Sequence, residues 1–415
     1  RCSIVLTATA STSLIGVPAV YLSDAPTNSL KSYTGDGTSG IYVWGAQNEA
    51  VTYQTTPGTY NATTSAAYYG PRFDYDPVTL AAKGLLIEEA RTNVLTYSEQ
   101  FDNAAWTGFN VSFSANATTA PSGLSTADKA IEAAAAGFHA VYATASPTGS
   151  VTGNYTFSLY AKAGERRYLS LDMGDYANGT VFDLQTGTVT GTNTTYTASM
   201  TAAGNGWYRC IISRNFTVAT ALFPQFLIST ASTVPNSYTG DGTSGLYIWG
   251  AQLEAGAFAT SYIPTVASAI ARNADVATMT STNFSSWYNA SAGTFVTDAD
   301  CPAISTRAVF AADDATTSNA IYIRSSTADP IFGVRVGGVD QAALYAGTIT
   351  ANVAYKQAGA YAANDFATSL NGAAVVTDAS GSVPTVNRLA IGYDAGGNQL
   401  NGHVRTITYY NVRVT

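Results

Sequence analysis

An eighteen-residue segment occurs twice in this chain. It reads YTGDGTSGIYVWGAQNEA from Tyr33 to Ala50 and YTGDGTSGLYIWGAQLEA from Tyr238 to Ala255, with only Ile41/Leu246, Val43/Ile248 and Asn48/Leu253 differing. Chance does not produce such a match, so the segment is part of an internal repeat. The chain is therefore modular, and its fold must accommodate two copies of one unit.

The alignment of the copies sets the predicted domain boundaries. Arg1-Cys2 aligns with Arg209-Cys210 of the second copy, so residues 1–50 correspond to the C-terminal part of a first unit. We expect roughly 110 residues of that unit to precede Arg1. A connector over 51–94, a complete unit over 95–264 and a separate domain over 265–415 follow.

The composition and periodicity predict an all-β protein. Charged residues make up 11% of the chain, and short alternating segments such as YTFSLYAKA are separated by small turn residues. This rhythm is typical of β-sandwiches and jelly rolls. Asn371-Gly372 and Asn401-Gly402 are typical hairpin turns in the last segment. The helix-like residues Ser125 to Gly137 are the one candidate helix, with a partly extended conformation as the alternative.

Charge and rare residues argue against several classes of function. The net charge is −8 without any basic run, which argues against nucleic acid or an anionic membrane as the partner. There is no apolar run long enough for a membrane helix. The two histidines, His139 and His403, lie in different predicted domains, which argues against a zinc site or a Ser-His-Asp triad. We expect Cys2, Cys210 and Cys301 to be unpaired and buried.

Several longer motifs carry a family resemblance. PRFDYDPVTLAAKGLLIEEARTNVLTYSEQFDNAAW, YTFSLYAKAGERRYLSL, GWYRC and YTGDGTSGLYIWGAQLEAGAFATSYIPT closely resemble the carbohydrate-binding-module-like jelly rolls of phage head spike, head fibre and tail fibre proteins. DFATSLNGAAV, LAIGY and LNGHVRTITYYNVRVT resemble a concanavalin A-like (laminin G-like) domain. The resemblance implies tandem jelly-roll sandwiches followed by a concanavalin A/laminin G-like sandwich, a location on the virion surface, and recognition of glycans.

The repeated segment contains the candidate glycan-binding residues. Strand alternation places Tyr42 with Trp44, and Tyr247 with Trp249, on one face of their strands. Such aromatic rings can stack on the C–H face of a sugar, and burial in the core is the alternative. Tyr409, in the Tyr409-Tyr410 pair, is a further candidate.

The acidic turn of the same segment has two interpretations. In GDGTSG, the carboxylates of Asp36 and Asp241 can accept hydrogen bonds from backbone N–H groups of the turn. They could instead ligate a structural calcium ion. No other cofactor is expected.

The carboxylates do not form a recognisable catalytic pair. The last glutamate is Glu254, so the final domain contains none, and adjacent Glu88 and Glu89 point to opposite faces of a strand. We expect these two residues to pair with Arg91 or Arg72 and to hold the connector in place. The chain is therefore predicted to be a non-enzymatic attachment protein. Its expected partners are host surface glycans, other virion proteins and further copies of itself, as a trimer. A polysaccharide depolymerase and a purely structural spacer are the alternatives.

Overall fold

The computed structural model describes residues 70–174, 179–191, 193–233, 235–302, 306–326 and 329–414, together with Thr34, Val43 and Ala46. The partial first unit predicted over 1–50 therefore lies outside the described residues, apart from those three positions.

The first group of strands forms two sheets and two short ribbons. In chain order these strands are β1 (Phe73–Tyr75), β2 (Ala82–Ile87), β3 (Arg91–Asn93), β4 (Trp106–Phe109), β5 (Val111–Thr118), β6 (Ala127–Glu132), β7 (Ala136–Gly137), β8 (His139–Ala143), β9 (Ser150–Ala163), β10 (Tyr168–Asp172), β11 (Thr180–Asp183), β12 (Thr188–Gly191), β13 (Thr197–Ala202), β14 (Trp207–Ala221), β15 (Gln225–Ser229), β16 (Tyr238–Thr239), β17 (Gly245–Ala255) and β18 (Ile270–Arg272). Of these, β1 and β2 join a sheet of the C-terminal half.

The C-terminal half adds eleven strands and one short helix. They are β19 (Ala277–Thr280), α1 (Thr282–Ser285), β20 (Ala292–Asp300), β21 (Arg307–Asp313), β22 (Ala320–Ser326), β23 (Asp329–Val336), β24 (Val339–Tyr345), β25 (Tyr355–Ala362), β26 (Asp365–Leu370), β27 (Val376–Asp378), β28 (Arg388–Ile391) and β29 (Gly402–Tyr410). The predicted all-β class is confirmed, and every strand pair is antiparallel in the described part of the chain.

The first sandwich consists of two six-stranded sheets. Sheet I has the order β12-β11-β10-β15-β8-β4, and sheet II has the order β13-β14-β9-β17-β6-β5. Alternate residues of both sheets point inward and form one core, which includes Phe157, Leu159, Phe182, Phe226 and Ile248. Burying side chains of this size stabilises the fold by about 1.5–3 kcal/mol each relative to exposure. The outer face of sheet II points away from this core.

The second sandwich pairs a seven-stranded sheet with a six-stranded one. Sheet III has the order β1-β2-β29-β20-β25-β26-β27, and sheet IV has the order β19-β28-β21-β22-β23-β24. Their inner faces share a core that contains Phe295, Phe310, Phe332, Tyr361 and Phe366. The predicted connector thus contributes two strands to this sandwich, since β2 pairs directly with β29.

Ion pairs join the two sandwiches where the connector passes between them. The Glu88 carboxylate accepts hydrogen bonds from the Ser261 backbone N–H at 2.7 Å and from Arg72 at 2.8 Å, and it lies 3.0 Å from Arg272. Arg72 also pairs with Asp275. Although burial opposes ionisation of Glu88, the two arginines hold the pKa of this carboxyl below its usual value.

Glu89 completes the junction, and it lies with Glu88 between β2 and β3 and not, as expected, on a strand. Its carboxylate lies 2.5 Å from Arg91 and 3.0 Å from Arg307 of the second sandwich. The expected pairing of Glu88 and Glu89 with Arg72 and Arg91 is confirmed. The connector is therefore held by charge pairs to both sandwiches.

A histidine links the edge strand β1 to the interior strands of sheet III. The imidazole of His403 lies between two carboxylates, with Nδ1 2.9 Å from Asp300 and Nε2 2.8 Å from Asp74 on β1. Burial disfavours the charged ring, but the hydrogen bonds to both carboxylates outweigh it and raise the pKa of His403 to about 8. The edge strand is thus held most strongly when the imidazole is protonated.

Two further expectations have clear outcomes. The candidate helix over Ser125 to Gly137 is wrong, because β6 pairs with both β5 and β17 and tertiary pairing outweighs the helix propensity of its alanines. Cys210 and Cys301 are free and buried as expected, while Cys2 lies outside the described residues. The described part of the chain contains no helix long and apolar enough to cross a membrane.

Candidate functional site

The outer face of sheet II carries the second copy of the repeated aromatic pair. Tyr247 and Trp249 point outward from β17, while Leu246 and Ile248 lie in the core of the first sandwich. The predicted alternation is therefore present. Tyr42 and Trp44 of the other copy lie outside the described residues.

Trp249 has a structural environment. Its side chain is 5% exposed, and its indole Nε1 donates a hydrogen bond to Thr126 Oγ1 at 3.0 Å. The ring packs against Tyr160 and Tyr262, with centroids 5.3 and 4.6 Å apart. Because the neighbouring rings cover it, Trp249 serves as support for the surface rather than as an open platform.

Tyr247 lies in a row of side chains that crosses four strands. The register places Tyr247 opposite Lys129 of β6 on one side and opposite Lys162 of β9 on the other, and Lys162 in turn is opposite Trp207 of β14. Directly opposed residues of antiparallel strands have Cβ atoms about 4.5–5.5 Å apart. We call Lys129, Tyr247, Lys162 and Trp207 the Tyr247 row.

One end of the Tyr247 row is held by an ion pair. Lys129 Nζ lies 2.8 Å from the Glu165 carboxylate and 5.9 Å from the centre of the Tyr247 ring. Glu165 also accepts a hydrogen bond from the Gly245 backbone N–H at 3.1 Å. These contacts limit the positions of Lys129 and leave the Tyr247 ring half-buried beside it.

The other end of the row meets two turns. Trp207 is 2% exposed and donates its indole N–H to the Thr119 carbonyl at 3.0 Å. A Cβ on Gly206 would lie 3.5 Å from Lys162 Cε, so the lysine stem runs beside this turn. A Cβ on Gly204 would lie 2.9 Å from the Pro77 carbonyl oxygen. The turn of the β1–β2 hairpin thus lies at this end of the row.

A second row runs beside the first. Trp249 and Arg209 are both opposite Tyr160 in the register. The Arg209 guanidinium lies 5.3 Å from the centre of the Tyr160 ring and donates hydrogen bonds to Ser158 Oγ at 2.9 Å and to the Thr260 carbonyl at 2.6 Å. The face therefore combines aromatic rings with fixed cationic groups.

Glu99 is a residue that the sequence analysis missed. Its carboxylate accepts a hydrogen bond from the hydroxyl of Tyr262, at 3.2 Å, and the Tyr262 ring packs against Trp249 and Tyr160. Burial raises the pKa of Glu99 above its usual value. It lies about 150 positions before Trp249 in the chain, so no local motif signals that they belong together.

The Asp241 carboxylate accepts hydrogen bonds within its own turn and also lies 3.5 Å from Arg166. One carboxylate oxygen accepts from the backbone N–H groups of Thr243 at 2.8 Å and Ser244 at 2.7 Å, and the other accepts from the Ser244 hydroxyl at 2.5 Å. These bonds lower the pKa of Asp241. The interpretation of Asp241 as a cap accounts for its contacts. Its counterpart Asp36 lies outside the described residues, and the described residues contain no group of three or more His, Cys, Asp or Glu that could hold a metal ion.

Tyr409 is half-buried and packs against the core of the second sandwich. Its ring packs against Phe295 and Trp287, and its hydroxyl accepts a hydrogen bond from the Asn289 backbone N–H at 2.9 Å. Tyr410 points the other way and is 48% exposed. The two neighbouring tyrosines alternate on the strand, so Tyr410 is more exposed than Tyr409.

Comparisons with known proteins add little to this description. No protein-family model and no curated protein matches the sequence. Among solved structures, domains LG4-5 of the mouse laminin alpha1 chain are similar over 85% of this chain and 94% of that chain, with 9% sequence identity and a TM-score of 0.26. This likeness is too low to carry an argument, and the β-sandwich assignment rests on the sheets themselves.

Proposed function

We propose that this chain is a non-catalytic carbohydrate-binding protein and that the Tyr247 row is its contact surface. The observation that carries the proposal is the half-buried Tyr247 ring between two lysines on the outer face of a rigid sheet. An aromatic ring supplies an apolar surface for the C–H groups of a sugar, and flanking donors bind its hydroxyl oxygens.

The support beneath the row favours binding with little loss of entropy. Trp249, Tyr160 and Tyr262 pack together below and beside the surface, and each indole N–H of Trp207 and Trp249 already has an acceptor. Side chains held by such contacts need little reordering when a ligand binds.

The setting of this activity is also a proposal. The motif resemblance supports attachment of a virion to host surface glycans, with this chain on the virion surface beside other virion proteins. It also supports a homo-oligomer, with a trimer as the expected form. Several copies on one particle would multiply weak contacts by avidity.

The test is glycan-array binding by the wild-type protein and by Tyr247→Ala, followed by titration with a bound oligosaccharide. We expect the substitution to weaken binding about tenfold, since an aromatic contact contributes about 0.5–1.5 kcal/mol beyond its buried area. Tyr410→Ala is the matched control, because Tyr410 is exposed on the other sandwich. Equal affinities for the wild type and Tyr247→Ala would refute the Tyr247 row as the contact surface. Binding of no glycan at all would refute the proposed function.

Glycoside hydrolysis is a second candidate because of Glu99. A carboxyl whose pKa is raised by burial beside aromatic rings has the character of a general acid. Hydrolysis also needs a second carboxylate across the scissile bond. Chromatography of oligosaccharides incubated with the protein decides between the candidates. Shortened products that disappear in Glu99→Gln support an enzyme, and intact oligosaccharides support a binding protein.

A further inference from the structure

The outer face of sheet II concentrates a scarce residue type. The chain has only five lysines and a net charge of −8, yet two of the five, Lys129 and Lys162, flank Tyr247. A local excess of cations on an acidic protein is an electrostatic feature that attracts anions.

Most lysines in the described residues are neutralised by a nearby carboxylate. Lys83 lies 3.4 Å from Asp74, Lys129 lies 2.8 Å from Glu165, and Lys356 lies 3.9 Å from Asp298. Among the residues that the structure describes, Lys162 has no carboxylate within 4.0 Å. Its ammonium group is thus an uncompensated charge at the centre of the Tyr247 row.

A second uncompensated cation lies beside it. Arg209 donates to the Ser158 hydroxyl and the Thr260 carbonyl, which are neutral acceptors, and no described carboxylate lies within 4.0 Å of its guanidinium. Arg209 is the diagonal neighbour of Lys162 across β9 and β14, and such neighbours have Cβ atoms about 7–8 Å apart. An acidic group that lies between these two side chains can contact both charges.

The acidic groups near the row do not cancel these charges. Glu165 is already paired with Lys129. The Glu99 carboxylate accepts a hydrogen bond from the Tyr262 hydroxyl, and in the described part of the chain it forms no ion pair with Lys162 or Arg209. Lys162 and Arg209 thus lie near aromatic rings without a carboxylate partner among the described residues.

We propose that the ligand of the Tyr247 row is an anionic polysaccharide, with an acidic group of the sugar bound between Lys162 and Arg209. This inference rests on the proposed glycan-binding function and narrows it to acidic glycans. The aromatic ring contacts the sugar ring, and the ammonium and guanidinium groups form charge-assisted hydrogen bonds with its carboxylate or sulfate oxygens. A neutral glycan would leave both cations without an anionic partner.

The experiment compares matched acidic and neutral polymers. Binding of the full chain to a panel of polyuronate, sulfated and sialylated glycans is measured at low and high salt, with carboxyl-reduced polyuronate as the neutral counterpart. We expect an acidic member of the panel to bind more tightly than the neutral polymer, and its affinity to fall with salt because ions screen the contact.

The variants isolate the charge at position 162. We expect Lys162→Gln to weaken binding of the acidic polymer about tenfold, as for loss of a hydrogen bond between charged groups. Binding of the neutral polymer should weaken much less, because the glutamine amide can still donate a hydrogen bond to a sugar hydroxyl. Lys162→Arg keeps the charge and restores binding. Lys356→Gln, whose side chain is 72% exposed on the second sandwich, is the matched control and has no effect. Circular dichroism establishes that each variant is folded.

The outcomes distinguish a failure of the acidic-ligand inference from a failure of the proposed glycan-binding function. If neutral glycans bind as well as acidic ones and Lys162→Gln changes nothing, the acidic ligand is refuted while glycan binding stands. If no glycan of either kind binds, both fail. Because single-stranded nucleic acid also binds lysine-rich aromatic faces, oligothymidylate is included. Tighter binding of oligothymidylate than of any glycan, lost in Lys162→Gln, would overturn the inference in favour of nucleic acid.

Discussion

Replacing Glu88 by glutamine tests whether the ion pairs of the junction stabilise the protein. The Glu88 side chain is 8% exposed and contacts Arg72, Arg272 and the Ser261 backbone N–H. Glutamine has nearly the same shape and can still accept from Ser261. However, its neutral amide leaves Arg72 and Arg272 without the negative charge of Glu88 and directs N–H donors toward them.

The expected cost follows from burial. Removing one partner of a fully buried ion pair costs about 3–5 kcal/mol. Here the side chains of Arg72 and Arg272 are 31% and 20% exposed, so water compensates part of the loss. Arg72 also keeps its pair with Asp275. We therefore expect Glu88→Gln to lower the free energy of unfolding by about 2–3 kcal/mol.

The assay is urea-induced unfolding followed by tryptophan fluorescence, analysed by linear extrapolation. Glu165→Gln is the matched control, because the Glu165 side chain is 52% exposed and its pair with Lys129 lies on the surface. An exposed pair contributes about 0–1 kcal/mol. If Glu88→Gln costs no more than Glu165→Gln, the reasoning that the junction is energetically important is refuted.

Two further predictions concern the second sandwich. Because the folded-state pKa of His403 is raised from 6.5 to about 8, its stabilising effect is complete below pH 6.5 and is lost as the pH rises through 8. We expect the free energy of unfolding of the wild-type protein to include about 2 kcal/mol from this effect at pH 6 that is lost at pH 9. This difference should be absent in His403→Gln. The same change between pH 6 and pH 9 in both proteins would contradict the role of His403. Gly333→Ala should cost about 1–3 kcal/mol, since a Cβ there would lie 2.2 Å from the Tyr322 ring. Thermal unfolding measures this cost. The double variant Gly333→Ala/Tyr322→Ala should be destabilised by less than the sum of the effects of the two single variants. Additive effects would show that the added Cβ and the Tyr322 ring do not clash.

Local pattern was sufficient for much of the fold. The period of two in the strands and the turn residues between them predicted an all-β chain, and alternation correctly placed Tyr247 and Trp249 on one face of their strand. The pairing of Glu88 and Glu89 with arginines was predictable because these charges lie within about twenty residues of one another in the connector. In each case neighbours in the sequence supplied the information.

Tertiary structure decided what these elements do together. The register of β6, β9, β14 and β17 brings Lys129, Tyr247, Lys162 and Trp207 into one row, although no two of them share a local motif. Burial depends on what packs above a strand: Trp249 is covered by neighbouring rings, and Tyr409 is half-buried against the core of the second sandwich. Alternation along a strand is set by local backbone geometry, so it can be predicted from the sequence. The order of the strands and the burial of their side chains arise from contacts between distant segments. No local sequence pattern encodes these contacts.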